Sequence, residues 1–175
     1  VLLWALYTVS GGIVVRGSLK GTPLLNSILI LIATVFASWI GTTGATMVMI
    51  RPLLRANAQR KYKTHTIIFF IFLAANIGGS LTPLGDPPLF LGFLHSVPFF
   101  WTLKLLPHMF FMTVILMLLY FAMDTFYYKK EMKGKEVIVQ EHTEKIRVDG
   151  LYNLIFLLGI VVATLISGVW KAGSV

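Results

Sequence analysis

ANIGGSLTPLGDPPLF, residues 75–90, lies between apolar runs yet holds three glycines, three prolines, an Asn, a Ser, a Thr and a single carboxylate, Asp86. Gly78 and Gly79 admit backbone conformations closed to other residues, and Pro83, Pro87 and Pro88 each lack an N–H, so no regular helix runs through. Asp86-Pro87-Pro88 is also a helix start, because Asp at the cap accepts backbone N–H bonds and Pro at the first helical position gives up none that matter. The stretch reads as one helix stopping and another beginning.

Its surroundings make that break costly. Of 175 residues, 57% are hydrophobic and 13% charged, against about 25% charged in soluble domains. The composition predicts an all-α polytopic membrane protein. With no Cys, disulfides and thiolate metal sites are excluded, and the four His form no HxxxH pair. The net charge of +8 is gathered in blocks beside apolar runs, which reads as membrane topology and not as a nucleic-acid surface. The chain opens on an apolar run without a charged leader or small-residue cleavage site, and reads as a piece of a longer protein.

A helix needs about 20 apolar residues to cross about 30 Å of hydrocarbon. Residues 1–15 read as the end of one span, closed by Gly11-Gly12 and followed by Arg16 and Lys20. Residues 28–40 are apolar but cover only about 20 Å. GTTGAT, residues 41–46, follows them, and 47–54 then run out to Arg51, Arg55, Arg60, Lys61 and Lys63. Residues 64–75 are again too short, at about 18 Å, and lead into the quoted stretch, whereas 102–123 reach about 33 Å. That run ends on Asp124 and a Tyr127-Tyr128-Lys129-Lys130 edge. Residues 128–150 read as a cytoplasmic loop and 151–170 as a further transmembrane helix.

Positive residues favour the cytoplasmic side. For the blocks at 16–20, 51–63 and 129–147 to share it, residues 28–54 must enter and return as a re-entrant hairpin. Residues 64–101 must then cross outward as a broken helix, and 102–127 must cross back. These pieces make up a membrane domain over 1–127. The alternative, one ordinary span over 28–54, puts the five-residue basic block outside.

Irregular backbone at membrane depth is tolerated only against protein or a wet cavity. Two such breaks facing one another share that cavity. The first offers Ser38, Thr42, Thr43 and Thr46 hydroxyls beside Gly41 and Gly44; the second offers Asn76, Ser80 and Thr82 oxygens and the backbone of Gly78 and Gly79. Half-helix ends of this kind mark substrate and ion sites in secondary transporters. A lone carboxylate near the middle of a crossing is costly unless paired or protonated, so Asp86 reads equally as a helix cap and as a handle for a proton or cation. GTTGAT reads also as a small-residue packing surface. His65, His95, His108 and His142 are expected at interfaces or in loops, and Trp4, Trp39, Trp101 and Trp170 as interface anchors. Phe and Met residues along 109–123 are expected to face lipid or to pack.

NIGGSLTPLGDPPLFLGFL, with GTTGAT and RPLLRAN upstream, closely resembles the NhaD-type sodium/proton antiporters and citrate-transporter-like permeases of the ion transporter superfamily. Arsenical-pump permeases share a looser form of the pattern. The match is strong over about residues 28–101 and rests on hydropathy elsewhere. The resemblance implies two inverted repeats, each with a re-entrant hairpin and a broken helix, in a multi-pass inner-membrane protein of more than twice this length, often a homodimer. It places Thr42, Thr43, Asn76, Gly78, Gly79, Thr82 and Asp86 nearest the ion and substrate site, with Na⁺ held through Thr43, Asn76 and Thr82. No cofactor beyond the transported Na⁺ and H⁺ is implied; the partners are membrane lipids and the second repeat.

The expected function is secondary transport, with Na⁺ (or Li⁺)/H⁺ antiport first and an ion-coupled citrate, dicarboxylate or arsenite permease as the alternative. The lack of Arg or Lys in 28–50 and 64–103 weighs against a carboxylate substrate, although helix N-termini alone hold carboxylates. An intramembrane enzyme would need a nucleophile with its base or a metal cluster, and no such pairing is spaced for use. A structural subunit accounts for the hydropathy but not for two polar breaks.

Overall fold

The computed structural model describes residues 2–12, 14–16, 20–133, 147–150 and 152–171. Helix α1, Leu2–Gly11, ends at the Gly11-Gly12 pair. Strand β1, Val14–Arg16, pairs antiparallel with β2, Arg147–Asp149, setting Val14 opposite Asp149 and Arg16 opposite Arg147. The sequence had suggested helix to residue 15 and loop at 147–149; the β-branched valines at 14, 15 and 148 suit extended pairing instead. The ribbon holds the end of α1 near the start of α6, Tyr152–Lys171, and those two helices pack together. Within 128–150, residues 128–132 continue a helix, while 134–146, including His142, lie outside the described residues.

The centre of the fold is α2, Pro23–Ala56. It starts on Thr22, whose hydroxyl accepts from Leu25 N at 3.3 Å, with Pro23 at the first position, where its fixed φ suits a helix. Gly41, at φ 81° and ψ 151°, is the residue inside α2 that leaves helical geometry, in a region essentially restricted to glycine. There the chain turns back on itself. Asn26 and Asn57, 15 residues before and 16 after Gly41, exchange side-chain amide hydrogen bonds of 2.9 and 2.8 Å, whereas an unbroken helix would hold them about 46 Å apart. So α2 is a hairpin with arms 23–40 and 42–56. The expected GTTGAT loop shrinks to Gly41; Thr42, Thr43 and Gly44 already form the first turn of the second arm.

Helix α3, Thr64–Phe70, widens into a π-helical turn, Ile71–Asn76, and tightens into a 3₁₀ turn, Ile77–Leu81. A turn closed by Gly85 N donating to Thr82 O at 3.0 Å leads to α4, Pro87–Leu94, which stops at a left-handed Ser96 (φ 72°). A 3₁₀ segment, Phe99–Leu105, opens into α5, Leu106–Met132.

Pro23–Ala56, Thr64–Leu81 and Phe99–Met132 are each long and apolar enough to cross a membrane. In the first, the reversal at Gly41 divides that length into arms of about 27 and 22 Å. The protein is an all-α polytopic membrane protein. Its core joins Ile30, Ala33, Val48 and Leu53 of the hairpin to Phe70, Leu73 and Ala74 of the broken helix and Tyr120 of α5. Phe110, Phe111, Leu118 and Phe126 on α5 stay exposed, apolar surface suited to hydrocarbon.

The basic blocks gather at the open end of the hairpin. Arg60 Nη1 donates to Gly21 O at 3.3 Å, next to Lys20, and the ammonium groups of Lys61 and Lys130 lie 5.7 and 5.5 Å from the centre of the Tyr62 ring. Gly41 is about 22 Å along the hairpin from Asn26, and Asn76 is about 18 Å along its helix from Thr64. The hairpin tip and the helix break therefore lie at a common depth.

Candidate ion and substrate site

The two breaks meet directly. Ser38, in the last turn of the first arm, donates to Gly78 O, and its own carbonyl accepts from the Thr82 hydroxyl. Thr42 N, freed by the reversal at Gly41, donates to Gly85 O at 3.0 Å. The Thr42 hydroxyl donates to Asp86 Oδ1 at 3.3 Å.

Close approach depends on glycine here. A Cβ on Gly78 would sit 2.6 Å from Thr34 O and 2.8 Å from Ala37 Cβ. One on Gly79 would sit 2.7 Å from Thr42 Cγ2 and 3.1 Å from Asp86 Cγ.

Asp86 stands at the head of α4 with extended backbone, φ −137° and ψ 139°, but its side chain does not cap that helix. An N-cap oxygen normally accepts from the second or third helical N–H, and the second position is Pro88, which has none. The carboxylate turns instead to the hairpin. It is partly exposed beside a cavity of about 10 Å³ lined by Ile40, Thr42, Thr43, Gly44, Gly85 and Pro87, the room needed by about one water molecule.

Two kinds of helix end meet at this cavity. The second arm begins at Thr42, so its first amides carry the partial positive charge of a helix N-terminus. The first arm ends at Ile40 and presents carbonyls of opposite sign. An anion is accommodated by the first kind of end and a cation by the second, and the Asp86 carboxyl stands against the start of the second arm through Thr42.

Of the residues singled out from the sequence, Thr42, Gly79 and Asp86 come together, and Thr43 lines the cavity while exposed. Gly78 lies one step away, held against the first arm through Ser38. Thr82 is buried, with its hydroxyl committed to Ser38 O. Asn76 is exposed and its amide donates to Ile71 O at 2.8 Å, the spacing a π-turn creates. Of the set Thr43, Asn76 and Thr82, this cavity is lined by Thr43. Gly85 and Leu84 were not singled out; the packing of Gly85 against Gly79 was foreshadowed only by its place in the glycine-rich break.

A second polar cluster lies at the base of the hairpin. Asp124 Oδ1 accepts from Arg60 Nη1 at 2.5 Å and lies 2.8 Å from His65 Nε2. Its Oδ2 accepts from Asn26 Nδ2 and from the Tyr120 hydroxyl, both at 3.1 Å. Asp124 is fully buried, and His65, near the start of α3, is buried with it. His95 and His108 are exposed, as are Trp4, Trp39 and Trp101.

No curated protein and no solved structure matches the chain. The family model described as "Putative citrate transport" matches residues 1–175, and the chain belongs to that family of transporters.

Proposed function

We propose that the protein is an inner-membrane secondary transporter that moves a small carboxylate together with a cation, and that the tip of α2 against the break after α3 is its coupling site. The observation that carries this reading is the Asp86 carboxylate, turned away from its own helix and set against Thr42 at the hairpin tip. Family membership supports a carboxylate as cargo. The amides at the start of the second arm suit one carboxylate of the substrate, and Asp86 with the Thr42 hydroxyl suits the cation that crosses with it. A second inverted repeat, and a dimer, belong to the same proposal; they follow from the resemblance.

Na⁺/H⁺ antiport is the second reading, favoured by the water-sized cavity and by the lack of Lys or Arg in 28–50 and 64–103. Full-length protein in proteoliposomes distinguishes them. Labelled citrate should accumulate inside when a Na⁺ or H⁺ gradient is imposed, and Asp86→Asn should remove the gradient dependence. Collapse of a pH gradient by Na⁺ or Li⁺ with no carboxylate present would select antiport. Gradient-driven transport that survives Asp86→Asn would sink the site.

A further inference from the structure

We infer that Asp124, about 20 Å from the Thr42–Asp86 contact, is a positioning residue that sets the axial register of the hairpin against the broken helix; the functional part of this inference rests on the coupling-site reading above. Asn26, Arg60 and Tyr120 donate to it, the His65 ring is its fourth partner, and they come from three directions. Asn26 belongs to the first arm and, through Asn57, engages the end of the second. Arg60 and His65 bracket the start of the broken helix. Tyr120 is one turn away on α5 itself. Arg60 is further tied to Glu131 at 3.2 Å, and Glu131 accepts from Tyr62 N at 2.6 Å.

Between base and tip the two elements meet through apolar packing, which is non-directional, so the polar contacts at the two ends refine the register that packing sets. Along that surface the hairpin offers Ala33 and Ala37 with Thr34, whose hydroxyl bonds back to Ile30 O within its own helix at 2.8 Å. The broken helix offers Ala74 and Gly78. These small residues let the backbones approach closely, and the larger Ile30, Val48, Leu53, Phe70 and Leu73 side chains pack around them without directional bonds. Directional bonds therefore sit at the two ends, Asp124 at the base and the Ser38, Thr42 and Thr82 bonds at the tip. A slip of one residue is about 1.5 Å, enough to break a hydroxyl–carboxylate contact already at 3.3 Å.

Asp124→Asn tests this, because its amide nitrogen, whichever way it turns, sets donor against donor at the Arg60 guanidinium or the Asn26 amide. Leu53→Ala is the control: Leu53 is fully buried in the same hairpin, and its truncation lowers stability while keeping its carbonyl, which accepts from Asn57 Nδ2 at 2.9 Å. In full-length protein, Asp124→Asn should raise the half-saturating cation concentration by about tenfold or more, with a smaller change in maximal rate, and Leu53→Ala should not. Spin labels on Trp39→Cys and Leu91→Cys, both exposed in the wild type, read the tip geometry without transport. Their distance distribution should broaden or shift in Asp124→Asn and stay narrow in Leu53→Ala. A wild-type distribution in Asp124→Asn, or an equal change in Leu53→Ala, would overturn the positioning role. A broadened distribution together with an inert Asp86→Asn would keep that role and remove the coupling site.

Discussion

Two aspartates, one at each end of the same hairpin, are held in opposite ways. Asp124 at the base is fully buried and surrounded by four side-chain partners. Asp86 at the tip is partly exposed, and the side chain that bonds it is the hydroxyl of Thr42 at 3.3 Å. A carboxylate with every lone pair engaged is structural, because any exchange of partners would strand a buried donor. A carboxylate with one long contact and an adjoining cavity keeps acceptor capacity in reserve. The hairpin thus carries a rigid foot and a receptive tip, and substitutions at Asp124, Gly41 and Asp86 probe that contrast.

The largest loss of stability should follow Asp124→Ala. Removing one partner of a buried ion pair costs about 3–5 kcal/mol where the other charge is left uncompensated; here Arg60 keeps Glu131 at 3.2 Å but loses its closer carboxylate, and the Asn26 amide is left behind. Thermal unfolding in detergent measures it. Asp124→Leu combined with Arg60→Met should recover much of the loss, since apolar replacement of both partners removes the stranded charge. If the double variant is no more stable than Asp124→Ala, the foot is not held by charge.

Gly41→Ala comes next. A side chain at φ 81° and ψ 151° is strained by about 1–3 kcal/mol. The strain sits at the reversal, so the damage should appear first at the tip as weaker cation dependence of uptake, ahead of unfolding. An alanine variant with wild-type stability and cation dependence would show that the reversal tolerates ordinary backbone.

The two ends were unequally legible in the sequence. The tip announced itself: Gly, Thr and Pro within apolar runs have few uses except a break, and one carboxylate in such a run calls for a partner. Its fine structure was not readable, because whether Asp86 caps α4 or reaches Thr42 depends on which face of the break meets the hairpin. Asn76 shows the same limit. Its spacing in NIGG suggested a ligand, but the π-turn gave its amide a carbonyl on its own helix. The base stayed hidden because its members, Asn26, Asn57, Arg60, His65 and Asp124, spread over 98 residues, and each alone resembles a membrane-edge polar residue. The signal that could have found them was the matched position of Asn26 and Asn57 about Gly41, which makes them neighbours once the chain is folded there. The β1–β2 ribbon was missed because three residues are too few for an alternating pattern to register.

The smallest stability effect, and the sharpest separation of the two aspartates, belongs to Asp86→Asn. The substitution keeps shape and gives up one contact at a partly exposed site, so unfolding should change by no more than about 1 kcal/mol. Its effect should appear only when the transported cation is present. A ligand bound to the folded state alone stabilises it by about 2.7 kcal/mol at a hundred times its dissociation constant, so wild-type protein should melt later as Na⁺ is raised at constant ionic strength. That increment should vanish in Asp86→Asn and persist in Thr42→Ser, which keeps the hydroxyl at the tip, while Thr42→Val should fall between. A salt-dependent increment equal in Asp86→Asn and wild type would mean that the tip carboxylate holds no cation, and the contrast between the two ends would reduce to a difference in burial.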